Sequence, residues 1–112
     1  MIISQKHTIS GTVVNVDFTS LKRPGTLSHV IVGVDVKPTS NDKIFVYLVT
    51  DGLEIELDES VNPSGNSFEN GHTYAPNIPM PLSKDETIKV RYANPQSRNV
   101  TVVFKGSDDI RY

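Results

Sequence analysis

The sequence predicts an all-β chain folded as an antiparallel β-sandwich of six to eight short strands. Apolar and polar residues alternate in many short segments, which is typical of strands that bury one face. No segment shows the 3.6-residue period of an amphipathic helix over three turns. Clusters of Gly, Pro, Asn and Asp separate the segments at fairly regular intervals, as they do in sandwiches and barrels. We expect one domain over residues 1–112.

The first third of the chain predicts two strands. Residues 8–18 read as one strand with its later valines and a phenylalanine on one face, and Gly11 indicates a bulge inside it. Residues 21–25 contain a Pro-Gly pair that predicts a turn. Residues 27–36 form the clearest strand, because four valines at alternating positions all fall on one face.

A hairpin is predicted in the middle of the chain. Residues 43–50 and 53–59 are alternating segments joined by Asp51 and Gly52, a pair that favours the type I′ turn of a two-residue hairpin. That turn length also fixes the register of the two strands. The predicted opposite pairs are Thr50 with Leu53, Leu48 with Ile55, and Val46 with Leu57.

The last part of the chain predicts an irregular stretch followed by a second hairpin. Residues 60–83 contain four prolines, which interrupt any long strand. Residues 87–93 and 99–105 both alternate, and the five polar residues 94–98 lie between them. We therefore expect these two strands to pair with each other. The predicted core consists of Val14, Val16, Val30, Val32, Val34, Val46, Leu48, Ile55, Leu57, Ile88, Val90, Val102 and Phe104.

Composition argues against several classes of partner. The net charge of −2 does not favour a broad nucleic-acid-binding surface. The longest apolar run, residues 30–34, is far too short to cross a bilayer. Residues 1–6 lack the apolar core of a signal peptide. We expect no nucleic-acid partner, no membrane insertion and no export.

No motif in the sequence predicts catalysis or a bound cofactor. The chain has no cysteine, and His7, His29 and His72 are too far apart for the usual ligand spacings. There is neither a nucleophile elbow nor a phosphate-binding loop. We therefore expect no enzyme activity, no metal and no cofactor.

One feature stands out, an acidic face on the middle hairpin. Residues 44–83 contain six acids and no Lys or Arg. Glu54, Glu56 and Asp58 alternate, so the predicted strand places all three carboxylates on one face. In the predicted register Tyr47 lies opposite Glu56, and Phe45 lies opposite Asp58. These five residues form a candidate protein interface, since aromatic side chains and complementary charge are typical of one.

Two other interpretations of the acidic face remain open. Charged side chains on an edge strand protect against unwanted strand pairing, and carboxylates are also ligands for calcium, although calcium needs a loop that wraps around it. For the interface interpretation, Lys89, Arg91 and Arg98 are the candidate counter-charges. They can pair with the acids within one molecule or head to tail between neighbours, and head-to-tail contacts can close a ring.

The C-terminal third resembles a known group of virus proteins. A proline-rich approach (YAPNIPMPL, 74–82) precedes a strand (TIKVRY, 87–92), a short polar loop and a closing apolar strand (VTVVF, 100–104). This order is similar to the end of small single jelly-roll virion proteins of bacterial viruses, of the penton, vertex or minor capsid type. The resemblance implies a jelly-roll-like sandwich, a structural role in a capsid or tail, and a location in a virion assembled in the host cytoplasm. It transfers no site residue.

Together these observations predict a non-enzymatic structural or assembly protein of a bacteriophage particle. Its partners would be other virion proteins and copies of itself in a homo-oligomer. The alternative is a small-ligand- or carbohydrate-binding β-sandwich module, which usually displays aromatic side chains. The chain contains no Trp, so that role would fall to Phe45, Phe68, Tyr47 and Tyr74.

Overall fold

The computed structural model describes residues 2–11, 13–18, 24–34, 41–62, 72–93 and 99–108, without the side chains of residues 2, 3 and 108. These residues form nine strands: β1 (Ile2–Ser10), β2 (Val13–Asp17), β3 (Gly25–Val34), β4 (Asp42–Thr50), β5 (Leu53–Asn62), β6 (His72–Tyr74), β7 (Met80–Leu82), β8 (Thr87–Ala93) and β9 (Asn99–Asp108). Within them, no helix is long and apolar enough to cross a membrane.

The nine strands form two antiparallel sheets, which confirms the predicted fold class. Sheet I has the order β1-β9-β3-β6, and β7 also pairs with β3. Sheet II has the order β2-β8-β4-β5. Because β6 and β7 pair with successive parts of β3, each sheet is four strands wide. Strands near the start of the chain pair with strands near its end, and successive pairs lie closer to the middle of the sequence: β1/β9, β2/β8, β3/β6–β7 and β4/β5. This is the jelly-roll arrangement.

The hydrophobic core lies between the two sheets. Its fully buried side chains include Tyr92 and Phe104, and Phe18 contacts Phe104 edge to face with ring centroids 5.3 Å apart. Most of the predicted core is confirmed, with Leu48 and Leu57 partly buried. The prediction that Ile55 belongs to the core is wrong. Ile55 is 46% exposed, because sheet I does not cover the end of its hairpin.

A buried polar network ties β4, β5 and β8 together at one end of the core. The Tyr92 hydroxyl donates to Asp42 Oδ2 at 2.8 Å, and Asn62 Nδ2 donates to the same hydroxyl at 2.8 Å. All three side chains are buried, and buried polar groups are tolerated when they are hydrogen-bonded. The network holds the acidic strand β5 to the centre of sheet II.

The prediction of one strand over residues 8–18 is wrong. β1 ends at Ser10 and β2 begins at Val13, and the two strands belong to different sheets. Gly11 lies between them. The break in alternation that suggested a bulge thus marks a crossing from sheet I to sheet II.

The second predicted hairpin is also wrong, since β8 and β9 do not pair. β8 pairs with β2 and β4 in sheet II, whereas β9 pairs with β1 and β3 in sheet I. Each strand has one apolar face, and the two faces meet across the core. The intervening residues 94–98 lie outside the described residues, as do Arg98 and the predicted last residues of the 27–36 strand.

The middle hairpin is confirmed, with one change of register. Asp51 and Gly52 both have positive φ, 49° and 76°, as a type I′ turn requires. Thr50 faces Leu53 and Leu48 faces Ile55, as predicted. The register then shifts, and Val46 faces Asp58 instead of Leu57. Leu57 is therefore the extra residue of a β-bulge, which reverses the orientation of the residues that follow it.

Candidate functional site: the outer face of sheet II

The outer face of sheet II carries the aromatic and charged residues that the sequence singled out. Phe45 and Tyr47 alternate with the buried Ile44 and Val46, so their rings point away from the core. The strand registers place their neighbours beside them in two rows. These rows are Asn15, Arg91, Phe45 and Glu59, and then Asp17, Lys89, Tyr47 and Glu56.

An aromatic pair lies at the centre of this face. The rings of Phe45 and Tyr47 are stacked, with centroids 6.2 Å apart and planes at 20°. The guanidinium carbon of Arg91 lies over the Tyr47 ring, 5.7 Å from its centroid, within the range of a cation–π contact. Arg91 Nε also donates to Asn15 Oδ1 at 3.1 Å. Arg91 is therefore engaged on both sides within its own chain.

The acids of β5 are partly neutralised within the same chain. Lys89 Nζ donates to Glu54 Oε2 at 2.6 Å, and Lys43 lies 3.9 Å from Glu59. The hydrogen bond from Lys89 holds the pKa of Glu54 below its ordinary value. Of the two arrangements that the sequence left open for Lys89, the structure shows the pairing within one molecule.

Glu56 keeps an unpaired carboxylate in the part of the chain that the structure describes. It lies on edge strand β5 and is exposed, and no described side chain forms an ion pair with it. Among the described strands of sheet II, β5 pairs with β4 alone. This edge therefore presents backbone groups that no described strand pairs, beside a carboxylate that no described side chain neutralises.

Asp58 does not belong to the acidic row, which corrects the predicted site. The bulge at Leu57 turns Asp58 to the inner side of sheet II, opposite Val46. There its Oδ2 lies 2.5 Å from His72 Nε2 on β6, so the pair joins the edges of the two sheets. Burial, and next the charge of Asp58, raise the pKa of Tyr74 beside this pair.

Glu59 takes the position that the sequence assigned to Asp58. It lies opposite Phe45 on the outer face and near Lys43. Sequence alternation could not reveal this, because a bulge shifts the register by one residue without a distinctive residue type. Arg98, the last predicted interface residue, lies outside the described residues, and the interface role of the other predicted residues stays a prediction.

Strand β5 also exposes large apolar side chains. Leu53, Ile55 and Val61 are 64%, 46% and 52% exposed. Leu53 and Ile55 face the inner side beyond the cover of sheet I, while Val61 lies on the outer side. The strand thus combines apolar area, free backbone groups and carboxylates along one edge, the composition of a polypeptide-binding surface.

The described residues offer no alternative centre for metal chemistry. No three His, Asp or Glu side chains among them come close enough together to hold an ion. Glu54 and Glu56 stand on a strand, where they cannot wrap a cation as a calcium loop does.

Comparison with solved structures identifies proteins of similar fold. The core of the Drosophila protein NLP, in a structure described as giving insight into pentamer formation and histone binding, aligns with a TM-score of 0.50 and 11% identity. The alignment covers 94% of this chain and 98% of that chain, and at this identity it shows a shared fold. No known family model matches the sequence, and no curated protein is significantly similar to it.

A viral structure was also found at lower similarity. It is that of infectious bursal disease virus, Gx strain, with a TM-score of 0.28 and 9% identity. The alignment covers 99% of this chain but 30% of the viral chain. At this TM-score the likeness supports no conclusion about function.

Proposed function

We propose that this chain is a non-enzymatic structural subunit that assembles with copies of itself, and that it serves in a bacteriophage particle as a capsid, vertex or tail component. The observation that carries the proposal is edge strand β5. Three large apolar side chains on this strand are about half exposed or more, and Glu56 on the same strand forms no ion pair with a described side chain. Apolar area of this kind is stabilised when a partner covers it, at about 25 cal/mol per Å² buried.

The fold supports the same proposal. Jelly-roll sandwiches are a common architecture of capsid proteins, which act through contacts between subunits. The Drosophila protein of similar fold is described as forming pentamers. A chain that buries its core within one sandwich has its outer faces and edges available for such contacts.

The alternative of a carbohydrate-binding module has less support. Sugar recognition needs aromatic faces open to solvent. Phe45 and Tyr47 instead stack on each other, and Arg91 covers the Tyr47 ring. This leaves little free ring surface at the centre of the face.

The assembly part of the proposal is tested by sedimentation of the full chain over a range of concentrations. We expect a discrete oligomer whose fraction rises with concentration. Val61→Ser should weaken it, and Val13→Ser is the matched control, because Val13 is 55% exposed on the opposite edge strand of sheet II. A wild-type chain that stays monomeric at every concentration would overturn the proposal. The virion location is tested by mass spectrometry of purified bacteriophage particles, which should contain this chain.

A further inference from the structure

The outer face of sheet I has a different character from that of sheet II. The registers place Lys6, Val103, Ile31 and Thr73 side by side in one row. On one side of this row, the face continues with short hydroxyl side chains and a glycine. On the other side of the row, the next row contains Lys105 and His29. The outward side chains described on this face include no carboxylate. Lys6 and Lys105 are exposed, and no described acid pairs with either.

One end of this face is concave. A cleft of about 300 Å³ is lined by Thr26, Ser28, His29, Pro79, Lys105, Gly106 and Ser107. Lys105 can donate hydrogen bonds but cannot accept them, and the hydroxyls and imidazole can donate as well. Ammonium and hydroxyl donors around a shallow cleft suit a carboxylate, which only accepts hydrogen bonds.

We infer that strand β5 of one copy docks on the outer face of sheet I of the next copy, with the carboxylate of Glu56 received by Lys105 and Lys6. The inference rests on the proposed self-assembly and assigns its two surfaces. Glu56 is the acid of β5 left for a partner, since Glu54 contacts Lys89 and Glu59 lies near Lys43.

The apolar parts of the two surfaces match as well as the charges do. Leu53 and Ile55 project from the inner side of β5, opposite to Glu56. On sheet I, Val103 and Ile31 lie in the row of Lys6, and Lys105 lies in the next row. A contact between them would bury apolar area beside the pairing of Glu56 with lysine, and apolar and charged contacts are both typical of protein interfaces. A second copy is therefore the occupant that this face fits.

Lys89 and Arg91 are less suited to receive a neighbour. Lys89 is bonded to Glu54 with only 17% of its side chain exposed, and Arg91 is held by Asn15 and Tyr47. A neighbour would have to break these contacts first. Lys6 and Lys105 have no such contact with a described acid.

The two surfaces differ, so the contact is head to tail. A head-to-tail contact closes a ring if its rotation allows closure and otherwise continues as an open filament.

Charge reversal tests the pairing. Glu56→Lys and Lys105→Glu should each weaken assembly by roughly tenfold or more, because like charges then meet across the contact. The double variant should recover much of it, and so should an equal mixture of the two single variants. Lys84→Glu is the matched control, which reverses an exposed charge outside the two surfaces and should assemble as the wild type does. Circular dichroism confirms that each variant is folded.

The outcomes separate this inference from the proposed function. A wild-type chain that never assembles overturns both. If the wild type assembles and the two single reversals assemble equally well, the docking of β5 on sheet I is wrong while self-assembly stands. If both single reversals fail and neither the double variant nor the mixture recovers, the pairing of Glu56 with Lys105 is wrong.

Discussion

Two segments of this chain look alike in sequence and fold differently. Each consists of two alternating strands around a polar connection, one over residues 43–59 and one over residues 87–105. The first forms a hairpin in sheet II, whereas the strands of the second face each other from opposite sheets. The difference lies in the connection, two residues in one case and five in the other.

The comparison shows what a connection of two residues enforces. An Asp-Gly turn leaves the second strand no position except beside the first. Five residues permit either pairing or a crossing to the opposite sheet. The crossing allows β8 and β9 each to bury an apolar face against the other sheet, while the end of the β4–β5 hairpin extends beyond that cover. The hairpin thus keeps exposed area, and the crossing strands form the core.

The largest expected effect contrasts the inner faces of these two segments. Phe104→Ala on β9 should lower the free energy of unfolding by about 3–5 kcal/mol, since the ring is fully buried. Ile55→Ala on β5 should cost under about 1 kcal/mol in the monomer, because half of its side chain is already in water. Urea unfolding of the two variants measures the difference. Equal losses would show that the hairpin end is covered after all.

A smaller effect is expected at the turn of the hairpin. Gly52 has a φ of 76°, and a Cβ at this position meets no atom within 4 Å, so the cost of Gly52→Ala is backbone strain alone. We expect a loss of about 1 kcal/mol. Asp51→Asn is the control, because Asn-Gly also forms a type I′ turn, and it should leave stability unchanged. A melting temperature unaffected by the alanine would contradict the assigned turn.

The smallest effect concerns the ion pair between the two segments. Lys89→Met removes the hydrogen bond that lowers the pKa of Glu54, so that pKa should rise toward its ordinary value. In the wild type, the stability linked to Glu54 is present above the ordinary carboxyl pKa of about 4.3 and is lost as the pH falls through the lowered value. Carboxyl chemical shifts followed by NMR between neutral and acid pH measure the pKa of Glu54 in the wild type and in the variant. A Glu54 titration identical in the two proteins would exclude the pair in solution.

The fold class and most core residues could be predicted because they depend on alternation alone. Val30, Val32 and Val90 are buried wherever their strands pair, since period-2 alternation gives each strand one apolar face. Strand partners depend on distant parts of the chain, and local pattern does not contain them. That is why residues 8–18 were predicted as one strand and β8 and β9 as a hairpin.

The candidate site could be predicted in part for the same reason. The type I′ turn fixes the orientation of the side chains between it and the bulge on β5, which include Glu54 and Glu56, and of Phe45 and Tyr47 on the uninterrupted strand β4. Asp58 lies beyond the bulge, so alternation placed it on the wrong side. The sheet I face was missed because Lys6, Lys105 and His29 come from three separate strands that only the fold brings together.

The most direct test of the account is a cross-link between β5 of one copy and sheet I of the next. The chain has no cysteine of its own, so Glu56→Cys and Lys105→Cys can be introduced separately and the two variants mixed with a short bis-maleimide. We expect efficient cross-linked dimers in the mixture and few in either variant alone. The combined variant should give a ladder of cross-linked species. Cross-linking no more efficient than in a mixture of Asp17→Cys and Lys84→Cys would contradict the docking of β5 on sheet I.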